Sequence, residues 1–186
     1  MHGKPTICVY CGSSPGKDDA YMAAADTLGR TIAERGARLI YGAGDNGLMG
    51  ATARASLSAG GEVIGVVPDS LAGIEGRTDT NTTLIRTETM HERKKVMFAN
   101  ADAFIVLPGG PGTLDETIET LTWRQLGLHQ KPLVFVDTNS YWTRLIDLFN
   151  HFAEEGFMQA RFHGFYAVAK TPEEAVEMAL AGHSPT

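Results

Sequence analysis

The run Ala103-Phe104-Ile105-Val106-Leu107 is apolar without a break and is closed by Pro108-Gly109-Gly110. A strand with one wet face alternates apolar and polar residues, so an unbroken run this short describes a strand covered on both faces. Similar short runs stand at Thr6–Tyr10, Ala37–Tyr41, Glu62–Val67, Pro132–Val136 and Tyr166–Val168, with a shorter candidate at Leu84–Arg86. Helical spacing fills the intervals: Asp18–Glu34, Leu48–Ala59, Met90–Ala101, Thr113–Leu126 and Tyr141–Glu155, the last ended by Gly156. Thr171-Pro172-Glu173-Glu174 is a capping box with proline at the first helical position, opening a final helix that stops at Gly182. Only the polar, turn-rich stretch Pro68–Thr83 lacks a clear period. Buried strands alternating with helices predict an α/β fold: a single doubly wound, Rossmann-like domain over residues 1–186, its mainly parallel sheet flanked by helices on both faces.

Composition narrows the function. Apolar residues make up 43% and charged residues 20%, an ordinary globular mix, and the formal charge is −6. That balance argues against nucleic acid or an anionic membrane as partner, while leaving room for a small anion wherever local geometry overrides the bulk sign. No stretch approaches the roughly 18 apolar residues of a membrane span, and Met1–Thr6 has no signal-peptide core, so a cytoplasmic location is expected. Cys8 and Cys11 are the only cysteines. On a strand, three residues of separation span about 10 Å, beyond the roughly 7 Å between Cα atoms that a disulfide tolerates. Two reduced, buried thiols are expected. The histidines show no metal-ligand spacing, since His91-Glu92 lacks a second histidine at the right interval, and no cofactor is called for.

Open parallel sheets bind ligands beyond the carboxyl ends of their strands. Three glycine-rich turns fall at such ends: Gly12–Gly16, Gly42–Gly47 and Gly109–Gly112. Gly42-Ala43-Gly44-Asp45-Asn46-Gly47 matches G-x-G-x-x-G, but it lacks an acidic residue at the right edge and distance, a weak sign of a dinucleotide. Pro108-Gly109-Gly110-Pro111-Gly112-Thr113 runs from a strand into a helix without bulky side chains, which suits a phosphate on exposed N–H groups. It is not a P-loop, because no lysine follows the last glycine. Glu116 has two readings of about equal weight: a catalytic carboxylate, or the far half of a Thr113-x-x-Glu116 capping box. Thr89 and Glu92 form another such box. At 100° per residue Arg93 lies about 60° from Met90 and about 40° from Met97, so it faces the protein, whereas Lys95 faces solvent. An inward guanidinium calls for a carboxylate or phosphate, unless it snorkels outward. Ser13 and Ser14 could donate to a phosphate or cap the helix that follows. Trp123 and Trp142 suit a core or an interface on amphipathic helices.

Taken together, these segments resemble the Lonely Guy family of cytokinin-activating phosphoribohydrolases, whose members were long mislabelled as lysine decarboxylases. The family signature P-G-G-x-G-T-x-x-E stands as Pro108–Glu116 and M-H-x-R-K as Met90–Lys94. Cys11-Gly12-Ser13-Ser14, Gly47-Leu48-Met49-Gly50, Thr122-Trp123-x-Gln125-Leu126-Gly127 and Glu155-Gly156-Phe157 extend the likeness over nearly the whole chain. One departure bears on the base pocket: the usual triple glycine before G-L-M-G reads Gly42-Ala43-Gly44, followed by Asp45-Asn46.

The resemblance implies hydrolysis of the N-glycosidic bond of an adenosine 5′-monophosphate, plain or N6-substituted, to free base and ribose 5-phosphate. It implies Glu116 as the catalytic carboxylate, with Arg93 either holding it ionised and oriented or binding substrate. Gly109, Gly110, Gly112 and Thr113 would hold the phosphate, with Ser13, Gly44, Met90 and Lys94 completing the substrate-binding set. It also implies a homodimer or larger assembly with the site near the interface. The decarboxylase label does not suit the residues, because pyridoxal phosphate needs a Schiff-base lysine and Lys94 and Lys95 have no visible ring partner. Two alternatives stand beside the hydrolase: a noncatalytic carrier of a nucleotide or molybdopterin, known in the same superfamily, and an NAD-dependent oxidoreductase using Gly42–Gly47.

Overall fold

The computed structural model describes residues 3–71 and 82–181. Seven strands form one sheet: β1 (Thr6–Tyr10), β2 (Arg38–Tyr41), β3 (Val63–Pro68), β4 (Thr83–Thr87), β5 (Ala103–Val106), β6 (Leu133–Val136) and β7 (Ala167–Ala169). All six pairings are parallel, in the order β4-β3-β2-β1-β5-β6-β7. The helices are α1 (Asp19–Glu34), α2 (Gly47–Ser58), α3 (Met90–Asn100), α4 (Pro111–Gln125), α5 (Thr143–Glu154) and α6 (Pro172–Ala181). Gly182 and residues 72–81 of the turn-rich stretch lie outside the described residues.

Alternation along each strand separates two cores. Ile7, Val9, Leu39, Tyr41 and Ile105 face α1, α2 and α6, where Leu28, Ile32 and Val176 pack against them. Cys8, Tyr10, Ile40, Phe104 and Phe135 face the other way, against Met97, Leu121 and Phe149. Cys8 and Cys11 therefore sit in opposite cores, both buried and both free thiols. With both faces covered, the sheet's interior strands need apolar residues at every position. Edge strand β4 differs: among the described residues it pairs only with β3, and its residues are mostly exposed.

Two helix starts differ from expectation. α4 begins at Pro111, with Gly110 as its N-cap, two residues before Thr113. Proline at the first helical position is favourable, because its missing N–H would have had no helical partner. α5 begins at Thr143 rather than Tyr141, and a 3-10 turn at Thr138–Ser140 precedes it. Trp142 is consequently an N-cap residue, buried against Phe135, rather than part of a helix.

The order of strands reverses at β1. The chain moves outward through β2, β3 and β4, then returns to lay β5 along the opposite edge of β1. The loops leaving β1 and β5 diverge to opposite sides and open a crevice at the carboxyl end of the sheet.

Candidate active site

A cleft of about 580 Å³ occupies this crevice. Its walls are the loop after β1 (Cys11–Gly16), the loop after β5 (Pro108–Thr113), and side chains from α3 and α4 that include Met90, Arg93, Lys94 and Glu116. Gly12 joins the two loops by donating its N–H to the Pro108 carbonyl at 3.0 Å.

The loop after β5 is organised to present donors. Its carbonyls are all engaged: Pro108 accepts from Gly12, Gly109 from the Tyr141 hydroxyl at 2.6 Å, and Gly110 from the Leu114 N–H at 3.1 Å. The N–H groups of Gly109, Gly110, Gly112 and Thr113 have no protein acceptor among the described residues. A helix N-terminus with open N–H groups carries partial positive charge, so this concavity suits a phosphate in a chain of net negative charge.

Glu116 lies one turn further along α4 and is 8% exposed. Because the helix starts at Pro111, Thr113 is inside its first turn and is not the N-cap, so Thr113 and Glu116 do not form a capping box. Among the described residues the Glu116 carboxylate has no hydrogen-bond partner, and it lines the cleft. Burial raises its pKa from 4.5 to about 7, against the opposing pull of the Arg93 guanidinium. An unengaged carboxylate with a pKa near neutrality is placed to exchange protons with a ligand.

Arg93 is buried, as its helical position predicts, but its partners are not the expected carboxylate or phosphate. Nε donates to the Val66 carbonyl at 3.2 Å, Nη2 to Gly42 at 2.8 Å, and Nη1 contacts the Met90 sulfur at 3.2 Å. The guanidinium thus ties α3 to the ends of β2 and β3. A Cβ on Gly42 would overlap it, which is why that turn needs glycine. Lys94 pairs with Asp115 at 3.0 Å and Glu119 at 3.3 Å, bracing α3 against α4. Burial pulls its pKa down, but the hydrogen bonds to those two carboxylates outweigh this and hold it above its usual value. Thr89 caps α3 as expected, with Glu92 returning its carboxylate to the Glu88 N–H at 2.8 Å.

The structure brings Ser13, Met90, Arg93, Lys94, Gly109, Gly110, Gly112, Thr113 and Glu116 to the cleft wall, but not Gly44. Gly44 is buried behind it, where a Cβ would press on the Met49 side chain. Ser13 and Ser14 do not cap α1, whose N-cap is Asp18, and are left exposed at the cleft. The Gly42–Gly47 turn is closed to a dinucleotide, because the Gly12 carbonyl already accepts from the Leu48 and Met49 N–H groups at the start of α2. Ala43, the departure from triple glycine, adopts φ +57°, in the left-handed region that favours glycine.

A family model described as "Possible lysine decarboxylase" matches residues 49–179. A cytokinin riboside 5′-monophosphate phosphoribohydrolase from Rhodococcoides fascians is 42% identical over 172 residues, covering 92% of this chain and 87% of that protein. One of the same name from Arabidopsis thaliana is 40% identical over 179 residues, covering 96% and 83%. The chain belongs to the Lonely Guy family. Among solved structures, the Moco carrier protein of Chlamydomonas reinhardtii superposes with a TM-score of 0.73 at 23% identity, covering 97% of this chain and 98% of that one. The molybdenum cofactor binding protein of Rippkaea orientalis gives 0.71 at 22% identity, covering 97% and 98%. At that identity the likeness establishes a shared fold.

Two cleft residues of this Lonely Guy protein have no signal in its sequence motifs. Tyr21 from α1 and Tyr141 from the loop after β6 meet edge to face at 5.7 Å on the cleft wall. Tyr21 registers in sequence only as an apolar helical position, and Tyr141 as the first residue of a helix. Both reach the site through tertiary placement alone. Just before Tyr141, Asn139 and Ser140 adopt φ +54° and +56°, a left-handed pair that costs about 1–3 kcal/mol per residue and persists only where the surroundings enforce it.

Proposed function

We propose that the protein hydrolyses the N-glycosidic bond of adenosine 5′-monophosphate or an N6-substituted form of it, releasing free base and ribose 5-phosphate. One observation carries this reading: the buried, unpartnered Glu116 and the open N–H groups of Gly109, Gly110, Gly112 and Thr113 face one cleft. The named activity of the relatives supports it.

The 5′-phosphate seats on the amide cradle, with the Ser13 hydroxyl beside it, and brings C1′ to Glu116. As the C1′–N bond lengthens, positive charge builds on the ribose ring and the nearby carboxylate stabilises it. Glu116 takes a proton from the water that adds to C1′. The base departs with the bonding electron pair and gains a proton, so one water is divided between sugar and base. Arg93 anchors Met90 and α3 to the sheet and, through its field, opposes the rise in the Glu116 pKa. Lys94 serves as a brace between α3 and α4. Its raised pKa is the reverse of what a Schiff-base lysine needs.

A homodimer fits this reading. The outward side of α4 exposes Ile118, with Leu126 and Leu128 just beyond, and it adjoins the cleft through Pro111 and Asp115. A substrate drawn from the nucleotide pool suits a cytoplasmic enzyme. No helix among the described residues is long and apolar enough to cross a membrane.

The test is a panel of nucleosides and nucleoside 5′-monophosphates, with free-base release followed by chromatography. Adenosine 5′-monophosphate or its N6-prenyl form should release base, and adenosine should react at least about 100-fold less well for want of the phosphate grip. Tight retention of the nucleotide with no base released would return the chain to a carrier role.

A further inference from the structure

We infer that Tyr141 is a positioning residue for the phosphate cradle, acting by fixing the Gly109–Gly110 peptide. This rests on the phosphoribohydrolase reading and deepens it. A peptide flanked by two glycines meets little steric resistance to turning over, and a trans peptide points its C=O and N–H in opposite directions. If this peptide turned over, the Gly109 carbonyl oxygen would stand where the Gly110 N–H now does and would repel an anion. Among the described residues, the Tyr141 hydroxyl is the one donor to that oxygen, at 2.6 Å.

The surroundings are built to deliver the phenol. Asp137, 7% exposed, accepts from the Trp142 N–H at 2.8 Å and anchors the turn from below. The Asn139 side chain donates to the Asp18 carboxylate at 2.9 Å, which links the turn to the cap of α1. Between these ties the chain holds Asn139 and Ser140 in the left-handed region. The Tyr141 ring is gripped edge to face by Tyr21 at 5.7 Å and Trp142 at 4.9 Å. Strained backbone of this kind persists where the structure around it over-determines a position, and here it sets one hydroxyl against one carbonyl.

The test is Tyr141→Phe, which keeps the ring and its neighbours and deletes the hydroxyl. Wild type and variant are compared for KM and kcat on the best nucleotide of the panel, for inhibition by ribose 5-phosphate and by free adenine, and for Tm. The expected result is a KM and a ribose 5-phosphate inhibition constant each raised about tenfold, the scale of one weakened hydrogen bond to an anion. kcat should change by less than about threefold, and adenine inhibition by less than about twofold, because neither depends on holding the phosphate. A merely structural role would weaken ribose 5-phosphate and adenine alike, and that result overturns the inference. So does unchanged ribose 5-phosphate inhibition in a folded variant. A wild-type protein that neither cleaves the panel nor binds ribose 5-phosphate would instead remove the functional reading, and this inference with it.

Discussion

The loops after β2 and β5 share a pattern: each is rich in glycine, follows a buried parallel strand and runs into a helix. Their helix N-termini end differently. At α2 the Gly12 carbonyl fills the first turn, and the Gly42 carbonyl is held by Arg93. At α4 the loop's carbonyls are drawn off by Gly12, Tyr141 and Leu114, and its N–H groups are left open. Glycine spacing therefore marks where backbone must come close to something. What arrives there, another loop or a ligand, depends on which polar groups the rest of the fold has already satisfied.

Glu116→Gln tests the open loop most severely. It should lower turnover by about 10²- to 10⁴-fold, the range for loss of a general base, with nucleotide binding retained. The same variant should show a pH-dependent gain in stability. Glu116 ionises near 4.5 in the unfolded chain and near 7 in the folded one. Between those values the folded chain holds the extra proton, so wild-type stability falls as pH rises through the window, by on the order of 3 kcal/mol in full. Glutamine has nothing to lose there. Thermal melting should find the variant more stable than wild type at pH 8 and equal to it at pH 4. Wild-type turnover in this variant would remove Glu116 from the chemistry beside the open loop.

The next largest effect belongs to the closed loop. Gly47 has φ +56°, and a Cβ there would overlap the Ser13–Ser14 peptide. Gly47→Ala should lower stability by at least about 2 kcal/mol in denaturant unfolding, since neither backbone segment can yield cheaply. Gly112→Ala in the open loop is the converse. An added Cβ meets no other part of the protein within 4 Å, at a residue that lines the cleft. Tm should stay within about 2 °C, because alanine is the better helix former, while KM rises about tenfold. If Gly112→Ala destabilised the fold and Gly47→Ala affected only binding, the contrast between the loops would be reversed.

Much of the fold was legible because both faces of the sheet are covered. Buried runs such as Thr6–Tyr10 and Ala103–Val106 need apolar residues at every position, and their ends were readable to within a residue. The start of α4 was misplaced by two residues, because Thr113-x-x-Glu116 imitates a capping box. Gly110-Pro111 was the better signal, since proline favours the first helical position. Glu116, Arg93 and the glycine cradle were visible as residue types. The partners of Arg93 were not, because the carbonyls of Gly42 and Val66 are backbone groups that any residue could supply. Tyr141 was out of reach for a related reason: its distance from Gly109 depends on how β6 lies beside β5 and on two left-handed residues that no motif announces.

The fate of the two thiols has a practical side. Cys8 and Cys11 are each 1% exposed or less, and burial pushes both above the usual thiol range, so neither offers much thiolate to an electrophile. A single cysteine introduced on the surface would then be the chain's sole ready handle for maleimide chemistry. A dye or spin label attached there could follow ligand arrival at the crevice without first stripping the protein of its native sulfhydryls.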